Sequence, residues 1–261
     1  MEVVIVPSAS VVADVAAEAV LGGLPADRPP VLGLATGSSP MGLYDRLAAA
    51  AADGRLRCHD LSGVALDEYV GLPPGHPQSY RAVLERTVCE PVGLRRERLH
   101  VPDGSGACLA ALEAGALRFE RTVAGLGGVD VQVLGIGANG HLGFNEPGSA
   151  LSSRTRVKRL SDRTRADNAR FFGAPQDVPT HCVTQGLGTI LEARRLVLVA
   201  TGTAKAAAVA AALEGPLTAS CPASVLQWHA DAVAVLDEDA AALLRNRAYY
   251  DASARGLRLP G

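Results

Sequence analysis

Short runs rich in valine and leucine alternate along this chain with longer segments in which apolar residues recur every three or four positions. The first pattern predicts buried strands, the second amphipathic helices. Strands are predicted at residues 3–6, 31–35, 61–66, 99–101, 129–134, 196–200 and 232–236. A helix is predicted at 10–21 with Val11, Val12, Val15 and Ala19 on one face. A second starts with Ser39 as N-cap and Pro40 as first residue, carrying Met41, Leu43, Tyr44 and Leu47. Further helices are predicted at 79–88, 107–126 and 163–172, and a terminal one beginning at Asp237 and Glu238. The alternation runs end to end without a linker. It predicts one doubly wound α/β domain over residues 1–261, with a largely parallel sheet and helices on both faces. Right-handed crossovers then gather the loops after Ala35, Leu66, Leu134 and Ala200 at one rim.

The loop after Leu134 is the richest in chemistry. Residues 129–148 read VDVQVLGIGANGHLGFNEPG, a buried strand that empties into three glycines and then into Asn139, His141, Asn145 and Glu146. Gly135, Gly137 and Gly140 match G-x-G-x-x-G, and the domain pattern is Rossmann-like. The dinucleotide fingerprint also needs a helix at the last glycine and an acidic residue about 20 positions on. Here residues 141–148 read as loop and the region around 160 is basic, so NAD is not expected. A glycine turn around a core histidine is the plainer alternative, and the other loops bear on which reading holds.

Thr36, Gly37, Ser38 and Ser39 lie between a strand and a helix N-terminus, which suits either an anion cradle or a well-capped helix. Asp67 and Glu68 end the third strand, where open α/β sheets place ligands. A shielded carboxylate there is a candidate base, or else a turn cap. Ser152 to Arg159 alternates hydroxyls with cations, as an anion site or a solvated face would. Thr201 to Lys205 repeats the strand–glycine–hydroxyl pattern without the spacing of a Walker loop, so ATP is not expected.

Composition narrows the field further. The formal net charge of −2 offers no basic surface for nucleic acid. No apolar run approaches the ~18 residues of a membrane span, and the N-terminus lacks a basic leader region. Five cysteines without a C-x-x-C pair predict reduced thiols and a cytoplasmic protein. Cys58-His59-Asp60 and His181-Cys182 lack zinc spacing, so no metal is expected. Only two of the 25 basic residues are lysine, Lys158 and Lys205. A compact point charge is one reason to keep a lysine in an arginine-rich chain.

The inventory is an anion cradle, cationic partners, a carboxylate and a His/Glu pair. It suits proton transfer beside a carbonyl on a phosphorylated sugar. The strings LATGSSPMGLY, LDEYVGLP, LGIGANGHLGFNEPGS, SSRTRVK and TGTAKA, in this order, resemble the glucosamine-6-phosphate deaminase family (glucosamine/galactosamine-6-phosphate isomerases) over nearly the whole chain. The resemblance implies conversion of glucosamine 6-phosphate and water to fructose 6-phosphate and ammonia, in amino-sugar catabolism and without a cofactor. It implies Asp67 as the base that moves the C2 proton to C1, and His141 as the group that opens the ring, oriented by Glu146 and Asn139. The phosphate would be held by Thr36, Gly37, Ser38, Ser39, Arg170 and Lys205. Some members carry Asp where this chain has Asn139, so Glu146 alone is expected to supply negative charge near His141. Allosteric members bind N-acetylglucosamine 6-phosphate between subunits, which points to Ser149, Arg156, Lys158 and Tyr249 and to a homotrimer or hexamer. The alternatives are a 6-phosphogluconolactonase-like hydrolase and a non-catalytic sugar-phosphate sensor.

Overall fold

A computed structural model describes residues 1–256. The described chain lays down ten strands: β1 (Glu2–Val6), β2 (Val31–Leu34), β3 (Ser62–Ala65), β4 (Asp67–Tyr69), β5 (Leu99–His100), β6 (Val131–Leu134), β7 (Arg156–Arg159), β8 (His181–Thr184), β9 (Arg195–Ala200) and β10 (Ala232–Asp237). Seven of them pair in parallel in the order β1-β10-β9-β6-β2-β3-β5. Every residue of β2, β3, β6 and β10 is buried, as expected of parallel strands covered on both faces. The expected doubly wound α/β architecture is present.

Among the described residues nine α-helical segments surround the strands: α1 (Ala9–Leu21), α2 (Met41–Ala52), α3 (Tyr80–Leu84), α4 (Glu90–Val92), α5 (Leu109–Gly125), α6 (Asp162–Phe172), α7 (Leu187–Leu191), α8 (Ala206–Glu214) and α9 (Arg247–Gly256). In α1 the expected face, Val11, Val12, Val15 and Ala19, packs on the core, and the alanine side is buried beside it. Val12, Ala13, Ala16, Ala17 and Val20 are buried, while Val11, Val15 and Ala19 are only half-buried. The alanine-rich side turns inward because small residues admit close approach to neighbouring elements; Ala13 packs against Gly42 of α2. Ser39 is not the N-cap of α2. Pro40 occupies that position with helical dihedrals and no side-chain cap. The segment expected at 79–88 runs on to Val92, with α3 and α4 joined by a π-helical turn, Glu85–Cys89. No helix begins at Asp237: it ends β10, and its carboxylate accepts from the backbone of Gly202 and Ala240.

A second sheet, β4-β8-β7, is antiparallel and was not anticipated. It turns the cationic run at 156–159 into a strand and lifts Asp67 out of the loop class into β4. The 7-stranded sheet advances β2-β3-β5 to one side and β6-β9-β10 to the other. The topological switch therefore lies between β2 and β6, where such sheets open a crevice at the strands' carboxyl ends. No described helix is long and apolar enough to cross a membrane.

Candidate active site

A cleft of about 420 Å³ opens at this switch. Four adjacent strands, β3, β2, β6 and β9, deliver into it Asp67, the 36–39 loop, the 135–141 loop and Lys205. The aspartate and the loop imidazole thus share one cavity. Helix α6 adds Thr164, Asp167, Asn168 and Arg170 to the wall, and α3 with its π turn adds Tyr80, Arg86 and Thr87.

Asp67 is 4% exposed. Burial, with the adjacent Glu68 charge, pushes its carboxyl up to about 8, against the opposing hydrogen bonds of Thr184 and the Phe144 amide. Glu68 points away from the cleft and accepts from the backbone N–H groups of Tyr69, Tyr80 and Arg81 at 2.8–3.0 Å, which locks the start of α3 to β4. Tyr69, Tyr80, Phe144 and Phe172 pack ring against ring at centroid spacings of 4.8–5.7 Å and form the apolar wall beside Asp67.

His141 is tethered through its neighbours. Its Nδ1–H donates to Asn139 Oδ1 at 2.7 Å, and Asn139 Nδ2 donates to Glu146 Oε2 at 2.8 Å. The amide stands between the imidazole and the carboxylate, whose direct separation is 3.9 Å. Held this way, the ring keeps its Nε2 lone pair free to accept a proton. Burial lowers the His141 pKa, offset in part by Glu146, so the ring is neutral at pH 7. Burial also acts to raise Glu146, but bonds from Thr164, Asn139 and Ser161 outweigh it and hold the carboxylate ionised. Glu146 is not the one negative charge near the ring: Asp167 of α6 also lines the cleft and acts on His141. No helix follows Gly140, so the G-x-G-x-x-G string lacks the element that a dinucleotide fold requires.

The 36–39 loop is shaped by Gly37, whose φ of +91° no other residue type adopts without strain, and by Tyr44, whose buried hydroxyl bonds both backbone groups of Ala35. Lys205 donates to Ile136 O at 2.7 Å. Burial and nearby Arg170 lower its pKa, since both disfavour the charged amine. Arg170 lies over the Phe171 ring at 4.7 Å.

The remaining four candidates are not gathered in one place. Arg156 and Lys158 lie on β7, while Tyr249 is exposed on α9, which packs on β1 at the far edge of the large sheet. Ser149 is buried and its hydroxyl has no partner among the described residues. Arg156 donates to Asn145 Oδ1 at 2.8 Å. Among the described residues no group of three or more His, Cys, Asp or Glu is placed to hold a metal ion.

A family model described as glucosamine-6-phosphate isomerases/6-phosphogluconolactonase matches residues 8–235. The chain belongs to this family. Within the isomerase/lactonase family it is 50% identical over 250 residues to a glucosamine-6-phosphate deaminase of Cutibacterium acnes, covering 96% of this chain and 95% of that one. A glucosamine-6-phosphate deaminase of Streptomyces coelicolor is 51% identical over 252 residues, with the same coverage. Among solved structures, a monomeric glucosamine-6-phosphate deaminase superposes with a TM-score of 0.88 at 37% identity, over 93% of this chain and all of that chain. The 6-phosphogluconolactonase of Trypanosoma cruzi superposes with a TM-score of 0.73 at 19% identity, over 94% and 97%, a likeness of fold.

Proposed function

We propose that this enzyme converts glucosamine 6-phosphate and water to fructose 6-phosphate and ammonia. The observation that carries the reading is the common cleft of Asp67 and His141, with Lys205, Arg170 and the 36–39 loop around its rim. Relatives at about half identity bear the deaminase name over nearly their full length.

The substrate phosphate is taken by the 36–39 backbone, Lys205 and Arg170, which fixes the sugar by its anionic end. Neutral His141 accepts the C1 hydroxyl proton through Nε2 and passes it to the ring oxygen as the bond from C1 to that oxygen breaks, and the chain opens to the aldehyde. Imidazolium formed in this step is stabilised by Glu146 through Asn139. Asp67, as carboxylate, removes the C2 proton to give an enolamine and returns a proton to C1, leaving an imine at C2. Water adds to that carbon, ammonia departs and the ketose remains. A lactonase needs no base at C2, and a carboxylate raised to about 8 is matched to this proton transfer.

The test is ammonia release from glucosamine 6-phosphate, coupled to fructose 6-phosphate formation. Asp67→Asn lowers kcat by roughly 10²–10⁴-fold. Wild type that hydrolyses 6-phosphogluconolactone and releases no ammonia overturns the assignment. The same proposal extends to an effector, N-acetylglucosamine 6-phosphate, at Ser149, Arg156 and Lys158 in a homo-oligomer. The unpartnered Ser149 hydroxyl supports it, and the remoteness of Tyr249 within one chain requires a neighbouring subunit to supply that residue. Added effector should lower the half-saturating substrate concentration, and a flat response removes the site.

A further inference from the structure

The two catalytic carriers, β4 with Asp67 and the 139–146 loop with His141, come from separate parts of the chain, yet one short segment touches both. Thr184, at the end of β8, is fully buried, and its hydroxyl accepts from the Phe144 N–H at 3.2 Å and reaches Asp67 Oδ2 at 3.4 Å. Gln185 follows. Its backbone N–H donates to Leu66 O at 2.7 Å, its Nε2 to Ala65 O at 2.9 Å, and its carbonyl accepts from Asn145 Nδ2 at 2.7 Å. Asn145 also donates to Leu142 O, one residue beyond His141. Gly143 permits the closure, because a Cβ there would lie 3.0 Å from Asp67 Oδ2 and 3.2 Å from the Thr184 hydroxyl.

We propose that Thr184 is a positioning residue for the deamination reaction, its hydroxyl joining the Asp67 carboxylate to the His141 loop so that base and ring-opening group keep a fixed separation. This rests on the function proposed above. The hydroxyl has one proton and two acceptors in reach, Asp67 Oδ2 and the Gln185 carbonyl at 3.3 Å. Ionised Asp67 is the stronger acceptor, so the bond forms when the carboxylate is the active base. It favours the ionised form against burial and against Glu68. The other ionisable groups around Asp67 are Tyr69 on β4, Tyr80 on α3, Cys182 on β8 and, lining the same cleft, His141, Lys205, Arg170, Arg86 and Asp167.

Thr184→Val keeps the shape and deletes the hydroxyl, Thr184→Ser keeps the hydroxyl, and Thr184→Cys leaves a weak donor. With wild type releasing ammonia, Thr184→Val is expected to lower kcat by about 10²-fold with KM nearly unchanged. The acidic limb of its kcat/KM profile moves to higher pH, because the carboxylate has lost a donor. Thr184→Ser restores both quantities and Thr184→Cys falls between. Should Thr184→Val not fold, as judged by near-ultraviolet circular dichroism, the Ser and Cys pair carries the same comparison. Wild-type kcat and limb in Thr184→Val or Thr184→Cys overturn the proposal, as does a folded Thr184→Ser as impaired as Thr184→Val. Wild type that releases no ammonia overturns the deaminase assignment itself, a separate result.

Discussion

At position 137 a Cβ would lie 2.1 Å from the His141 ring, so the imidazole rests on backbone that only glycine can supply. Gly137→Ala must swing the ring off its bond to Asn139 and should lower kcat by about 10²-fold. Disappearance of a slowly exchanging Nδ1–H resonance would report the displacement, and unchanged turnover would sink the argument. Asn139→Asp acts by charge. A carboxylate on Nδ1 favours imidazolium, so the His141 pKa should rise and the limb of kcat governed by that ring should move to higher pH. Nuclear magnetic resonance titration of the ring reads the shift directly, and an unmoved ring denies the amide its electrostatic role. These residues were legible because chemistry sits in strings: a histidine and a carboxylate in a glycine loop announce themselves. Asp167 and Thr184 were not. An exposed acid on a basic helix and a threonine in an apolar strand acquire meaning only from what they touch.

Elements tell a similar story. The parallel strands were readable from continuous apolar runs, whereas the small sheet was not, since β4 has three residues, β7 reads RVKR and β8 alone lacks an amphipathic period. Their pairing is tertiary, and no local propensity specifies it. Glu68 joins that sheet to α3 by accepting from three backbone N–H groups. Glu68→Gln leaves the Arg81 N–H facing an amide nitrogen, a loss of ~1–3 kcal/mol. The expected fall in Tm is several degrees at roughly 2–4 °C per kcal/mol. Removing the Glu68 charge also relieves Asp67, so the acidic limb of kcat/KM should move below about 8, opposite to the Thr184→Val shift. A limb that stays put would mean Asp67 does not govern it.

For the molecule as a whole, burying Asp67 has a thermodynamic side. Its folded pKa of about 8 exceeds the ordinary 3.8, so folding must neutralise a carboxylate that the unfolded chain leaves ionised. The penalty is absent below pH 3.8, grows through the interval and is complete above pH 8. Asp67→Asn, though slower in turnover, should therefore be more stable, by on the order of a few kcal/mol at pH 8 and by less at pH 5. Chemical denaturation at both pH values measures it; equal stability at pH 8 would place Asp67 in water. The doubly wound plan and the meeting of four loops at one rim followed from strand–helix alternation. The strand order and the second sheet required the folded chain.

The strand order divides the proposed catalytic equipment. Residues 1–107 hold Asp67 and the 36–39 loop, and residues 108–261 hold His141, Glu146, Arg170 and Lys205, while β1 crosses the whole sheet to pair with β10. Ala107 and Cys108 are both exposed, so a cut between them meets no packed backbone. Produced as two separate polypeptides, each half would be silent, and each would offer the other an unsatisfied strand edge at three places, where β1 pairs with β10, β2 with β6 and β4 with β8. Deamination would then report reassembly, making the molecule a natural two-piece complementation reporter.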